Sequence, residues 1–392
     1  MRTVAVCPAC GGGKRHPVCE FNGLVLLESM RESPLCRYDY ALCDTCGLVY
    51  ATRRPEGDEL AFLYSRFDEV LGRTESDQTS GRTTEVSDAE RASIRARLAG
   101  GWLVSEERQP GDHEWMPEVF EERVLNSFHV NVLGSLVPVA GKRVLELRAT
   151  TGFMLSVLRE RYGAAEIYAM PMSERHGIVI DALNPMPMAL IDFDRLEVPF
   201  EGQFDLILAR HMLTHALELE RLWLLLKERL APGGYVYFFL ENDDHAMLHD
   251  KRKNLIGEQK CFHFQNFDLP VFARVLRYHG LDPVFIRHPR PGRSEMICLG
   301  RRDDGVVPTP MSRTELEARL EFYRRWRDLS VLSLGSDLQA LFGAELDAMR
   351  ARALAGGYGV ADKAGRIGPK KALRVMHQAG YTQLNEASRQ PR

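Results

Sequence analysis

The chain has 392 residues, 45% hydrophobic and 27% charged, a balance that excludes a disordered or fibrous protein. Its 51 Lys and Arg against 54 Asp and Glu leave a net charge of -3, without the basic excess of a dedicated nucleic-acid binder. No apolar run approaches the ~20 residues of a membrane span, and the opening residues lack the apolar stretch of a secretory signal, so the expectation is a soluble cytoplasmic protein of two or three domains.

Six of the eight cysteines fall within the first 46 residues, and four of them form two CxxC pairs, Cys7 with Cys10 and Cys43 with Cys46. Disulfides rarely persist in a reducing cytosol, whereas two CxxC turns, each presenting two thiolates, complete a tetrahedral shell for zinc. Gly11 and Gly47 follow the pairs, as expected where backbone wraps closely around an ion. A closed four-thiolate shell leaves no position for a substrate, so the predicted Zn2+ is structural, with Cys7, Cys10, Cys43 and Cys46 as ligands. Cys19 and Cys36 lack a partner motif and read as small apolar residues of the intervening hairpin.

After the second pair come Gly47-Leu48-Val49-Tyr50, then Arg54-Pro55, then a helix carrying Glu59, Leu60, Leu63 and Tyr64. This stretch resembles the zinc ribbon that opens many bacterial class I S-adenosylmethionine-dependent methyltransferases of polysaccharide and natural-product clusters. Residues 1–55 are therefore expected to form a zinc ribbon. Residues 56–136 follow as a polar and helical connecting or lid segment. Within it, 87–100 is expected to be a short helix with Ser87 or Asp88 as cap and Gly100 as stop, and 117–136 a second helix.

From Lys142 onward the pattern alternates. Strands are expected at 142–147, 166–170, 187–193, 204–210, 233–240, 282–288 and 294–302. Helices fall at 153–163, 173–183, 217–230 and 266–280. Strands alternating with helices of ten or more residues predict an α/β fold, Rossmann-like and doubly wound, with a mostly parallel sheet of seven strands. Ligands of such sheets bind beyond the carboxyl ends of the strands, where strand order reverses. Three phrases extend the resemblance to the class I methyltransferase domain over 137–302. They are Phe204 to His215 at the fourth strand, Leu230-Ala231-Pro232-Gly233-Gly234-Tyr235 before the fifth, and Cys261 to Pro270, a histidine-plus-aromatic segment before a late helix.

In that family the loop after the first strand runs acidic–x–Gly–x–Gly–x–Gly and approaches the amino-acid end of S-adenosylmethionine. Here it is Glu146-Leu147-Arg148-Ala149-Thr150-Thr151-Gly152, with the acid and last glycine kept and Arg148 and Thr150 in the first two glycine places. Pro171 stands where the family places a carboxylate for the ribose hydroxyls, and Asp192 where it contacts the adenine amino group. The resemblance thus gives Glu146, Arg148, Thr150, Gly152, Asp192 and Arg210 as cofactor contacts. A lost ribose acceptor costs about 1–3 kcal/mol, whereas a side chain filling the cavity below 146–152 would remove the case for methyl transfer. Arg148 can equally turn to the cofactor carboxylate or another anion as a charge-assisted fork.

An oxygen or carbon acceptor needs its proton removed, and histidine is the usual base near neutral pH. His211, His215 and His263 are the candidates, each also readable as a packed, hydrogen-bonded histidine without a catalytic role. Asp243, Asp244, His245 and His249 read as a loop and short helix at the pocket rim rather than a metal cluster. Residues 303–392 form a helical C-terminal extension, opening with a capping box of Ser312 and Glu315, continuing in a second helix and ending in a basic stretch around Lys370 and Lys371 that reads as a solvated face. The reading is a methyltransferase-like enzyme with a sugar, glycan or secondary-metabolite acceptor, a protein partner being possible. The rival is a fold that has lost methyl transfer and serves as a scaffold or acts on an anionic ligand.

Overall fold

The computed structural model describes residues 1–26, 30, 33–60, 62–63, 86–99, 127–192, 196–242, 263–288, 295–333 and 351. The expected rim residues Asp243, Asp244, His245 and His249, together with Cys261, lie outside them. So do most of the connecting segment and the chain beyond 333, apart from residue 351.

The N-terminal ribbon consists of strands β1 (Arg2–Thr3), β2 (Arg15–Cys19), β3 (Tyr40–Cys43), β4 (Val49–Ala51) and β5 (Arg53–Arg54). β2, β3 and β4 form an antiparallel meander. Both CxxC pairs sit in turns that bring their first cysteine carbonyl back onto a glycine: Gly11 donates to Cys7, and Gly47 to Cys43. Each glycine holds a left-handed φ, 72° and 84°, a conformation that side chains resist. Cys19 donates to the Phe21 carbonyl and burial pushes its thiol up to about 11, so it is a packed thiol as expected.

Helix α1 (Asp88–Ala99) is capped by Ser87, whose Oγ accepts from the Glu90 amide. A helical segment at 127–136 follows. The main domain then runs β6 (Arg143–Ala149), α2 (Phe153–Tyr162), β7 (Glu166–Pro171), α3 (Glu174–Leu183), β8 (Phe204–Arg210), α4 (Leu219–Arg229), β9 (Leu230–Glu241), β10 (Gln265–Asn266), α5 (Leu269–Tyr278), β11 (Leu281–Arg287) and β12 (Glu295–Arg302). The last described helix is α6 (Arg313–Ser333). Ser312 caps it through the Glu315 amide, but the Glu315 carboxylate turns to Arg274 instead of closing the expected box. Among the described residues no helix is long and apolar enough to cross a membrane.

Among the described residues the central sheet has six strands in the order β11-β12-β9-β8-β6-β7, against the seven expected. β7, β6, β8 and β9 are parallel, and β12 and β11 antiparallel. The expected strand at 187–193 is reduced to a fringe on β7. It makes three backbone bonds, from Ala169 to Pro187, Ala189 to Ala169 and Ile191 to Pro171, and one isolated bridge. Pro185 and Pro187 lack the amides a full ladder needs.

Apolar side chains fill both faces of the sheet. On one, Leu145, Ile207 and Phe238 pack with Trp223 of α4 and Phe272 of α5; on the other, Val144, Leu206 and Tyr237 pack with Leu155 and Leu158 of α2. The first cluster runs on into Cys7, Cys43, Leu48 and Tyr50, so the ribbon shares a core with the main domain. β10 completes the join by pairing with β4.

Candidate active site

Strand order reverses between β6 and β8, which opens a crevice beyond their carboxyl ends. Among the described non-glycine residues, left-handed φ occurs at Arg148 (57°), Leu196 (50°) and His211 (48°). Arg148 and His211 are the residues on either side of that crevice, and the Arg148 guanidinium donates to the His211 carbonyl. Such conformations cost of order 1–3 kcal/mol each and gather at functional sites. The same guanidinium reaches the Met172 sulfur beyond β7. The arm of Arg148 thus spans the ends of β6, β7 and β8.

Of the other expected cofactor contacts, Glu146 and Arg210 meet each other. Arg210 donates through Nε (3.0 Å) and a terminal nitrogen (2.5 Å) to one buried Glu146 oxygen. Gly152 opens α2 at φ 67°, and an added Cβ would lie 2.9 Å from the Met186 terminal methyl. The left-handed backbone therefore favours glycine here, whereas the flexible Met186 end can give way. Thr150 is half-buried, Asp192 is exposed, and the Pro171 carbonyl is taken by Ile191.

The three expected histidines do converge. His211 Nδ1 lies 2.8 Å from Glu241 Oε1. The other Glu241 oxygen accepts from Thr214 at 3.1 Å. His215 and His263 meet edge to face with ring centroids 4.8 Å apart. Donor atoms of His215, Glu241 and His263 all lie within 4.8 Å of one another. Burial alone pushes the Glu241 carboxyl up, but His211, through charge and hydrogen bond and reinforced by His263, holds it well below the carboxylate range. Burial, reinforced by His263 and Arg148, holds His215 well below its ordinary value, so its imidazole is neutral. His211 Nδ1 thus faces an ionised carboxylate, and its side chain is 33% exposed.

Glu241 is the candidate site residue that sequence reasoning passed over. Its signal was there, an acid closing the apolar run of β9 at the edge where ligands bind, next to the Asp243–Asp244 pair that drew attention instead.

The ribbon builds part of this site. Phe264, next to His263, accepts from the Ala51 amide of β4 and donates to the Thr214 carbonyl, both at 2.8 Å. Arg54 donates to the Leu217 carbonyl and, at 2.9 Å, to Gln265, whose amide in turn holds the Leu213 and Ala216 carbonyls. Burial pushes Arg54 down to about 10, so it remains charged at neutral pH. The loops carrying His215 and His263 are therefore locked by one ribbon side chain and one ribbon strand.

The four ribbon thiols also converge, with Cys7–Cys46 and Cys10–Cys43 sulfurs 3.6 Å apart. Zn–S bonds of about 2.3 Å at tetrahedral angles hold sulfurs roughly 3.8 Å apart, so the donor set and its spacing fit zinc. The Cys43 thiol, hydrogen-bonded first by Cys10 and then by Cys46 and Cys7, is held well below its ordinary range.

No curated protein matches the chain. Among solved structures, it is similar to an S-adenosylmethionine-dependent methyltransferase from Mesorhizobium loti, with 17% identity over 44% of this chain and 96% of that one, TM-score 0.38. It is also similar to 1,6-didemethyltoxoflavin-N1-methyltransferase of Burkholderia thailandensis with bound 1,6-didemethyltoxoflavin and S-adenosylhomocysteine. That match has 12% identity over 68% and 96% of the two chains, TM-score 0.38. A third is the N-methyltransferase NodS of Bradyrhizobium japonicum, with 17% identity over 49% and 99%, TM-score 0.33. Residues 145–238, which contain both Arg148 and His211, match the family model described as a methyltransferase domain.

Proposed function

We propose that the chain is an S-adenosylmethionine-dependent methyltransferase acting on a hydroxylated small molecule of the sugar, glycan or secondary-metabolite class, with a structural zinc in its ribbon. The observation that carries this reading is His211. It sits at the carboxyl end of β8 in a left-handed backbone, with Nδ1 2.8 Å from Glu241 and its side chain one-third exposed. A histidine oriented in this way takes the proton of an acceptor hydroxyl, and such a base contributes typically 10²–10⁴-fold. When bound, S-adenosylmethionine supplies the methyl group on its sulfonium. The chain's own residues position the acceptor, hold its proton and exclude water. The match over 145–238 supports the reading.

The Arg148 arm across the strand ends is the side-chain obstruction that the sequence set against methyl transfer, and this reading survives only if the arm withdraws. The arm is held by one carbonyl and one thioether. A charged donor to a carbonyl is worth about 1.5–3 kcal/mol and a thioether is a weak acceptor, so withdrawal weakens binding by roughly 10- to 100-fold without forbidding it.

The same arm, with Glu146 engaged by Arg210 and no carboxylate at Pro171, favours a second reading in which methyl transfer is lost and the domain serves as a scaffold or takes an anionic ligand. Thermal-shift titration with S-adenosylmethionine and S-adenosylhomocysteine separates the two. The first reading expects a saturable rise in Tm at up to millimolar ligand; no shift supports the second.

A further inference from the structure

We propose that His215, Glu241 and His263 form a second metal site, separate from the four thiolates, that binds a first-row divalent cation and leaves positions open for an oxygen ligand. The inference does not depend on methyl transfer, because it rests on donor geometry alone.

Three elements supply the donors: the loop after β8, the end of β9 and the segment before β10. Their ligand atoms lie within 4.8 Å of one another. Bonds of about 2.1 Å hold neighbouring N and O donors roughly 3–3.5 Å apart, so rotamer adjustment of about an ångström closes the set. Two imidazoles and one carboxylate suit zinc, iron, cobalt or nickel, rather than the all-oxygen shells of magnesium and calcium. Three protein ligands mark an open site, with room for water or an acceptor oxygen.

The surroundings fit. A ligating carboxylate is commonly oriented by hydrogen bonds, and Glu241 accepts from both His211 and Thr214. The two histidines stand at nearly right angles, 88°, so their nitrogens can converge on one point from different directions. His263 is 1% exposed and is held through Phe264 between the ribbon and the 214 carbonyl.

The test uses the full chain loaded with Co2+ and read by visible absorption, with Zn2+ calorimetry alongside. Thiolate-to-cobalt charge transfer marks the cysteine site; ligand-field bands without charge transfer mark the second. The expected result is one further equivalent after the thiolates are filled. Its affinity should fall roughly tenfold or more in His215→Gln and in His263→Gln, and less in Thr214→Val. If His263→Gln loses its cooperative melt, the half-buried His215 decides through His215→Gln. A wild-type chain that stops at the thiolate-bound equivalent overturns the proposal, and so does a second equivalent that binds unchanged in His215→Gln.

Discussion

Replacing Arg148 with glycine tests the crevice most sharply, because the substitution removes the arm and relieves its backbone together. The wild-type side chain bridges the His211 carbonyl and the Met172 sulfur from a residue held at φ 57°. Any nucleoside crossing β6, β7 and β8 must first break the carbonyl bond, at about 1.5–3 kcal/mol. Arg148→Gly removes that cost, so S-adenosylhomocysteine should bind roughly 10- to 100-fold more tightly. The lost hydrogen bond is set against relief of a left-handed non-glycine residue, worth about 1–2 kcal/mol, while glycine adds up to about 1 kcal/mol of unfolded-state entropy. These terms together range from about neutral to a destabilisation of about 3 kcal/mol in urea unfolding. Calorimetric titration of both proteins provides the comparison. Equal or weaker binding by the variant would refute the gate and show instead that the guanidinium grips the ligand.

Four further outcomes follow from the same contacts. Glu241→Gln should release His211 from its fixed Nδ1–H tautomer, seen as averaged imidazole nitrogen shifts in ¹⁵N NMR; an unchanged tautomer would contradict the pairing. Arg54→Ala leaves the buried Gln265 and two loop carbonyls poorly held, so it should cost about 1–3 kcal/mol in urea unfolding, and an unchanged stability would contradict the ribbon lock. Cys43→Ser should abolish stoichiometric zinc binding by the ribbon and lower Tm by roughly 10 °C; zinc retained at full stoichiometry would show that the thiols are not its ligands. His279 is stacked on Trp223, bonds the Ala9 carbonyl and is pushed by burial down to about 4. Because its folded-state value lies below the unfolded one, near 6.5, stability should be complete above pH 6.5 and fall by about 2–3 kcal/mol as pH drops toward 4. His279→Gln should flatten that slope, measured from urea midpoints at pH 7.5 and 5.

Much of the architecture was legible because local signals agree with the global fold. The apolar runs of β6, β8 and β9 and the caps at Ser87 and Ser312 mark elements close to where they lie. The third strand was not legible in that way, since 187–193 read as a strand although Pro187 within it and Pro185 before it lack the amides a ladder needs. The histidine cluster was legible as a set of residues but not as a geometry. That geometry depends on a carboxylate from the end of a different strand and on β10 adding to the ribbon, long-range pairings that no local pattern encodes. The partnership of Glu146 with Arg210 was hidden for the same reason, as two residues that the resemblance aims at a ligand face each other across neighbouring strands. Arg148 was visible as an oddity in a glycine place; its reach to His211 required the fold.

The central claim is that this crevice admits a sulfonium nucleoside once Arg148 swings aside. Equilibrium dialysis of the wild-type chain against tritiated S-adenosylmethionine measures it directly. Saturable uptake of one molecule per chain is predicted, displaced by S-adenosylhomocysteine. Wild-type protein that retains no label at millimolar ligand, and gains none when Arg148 is glycine, would contradict it.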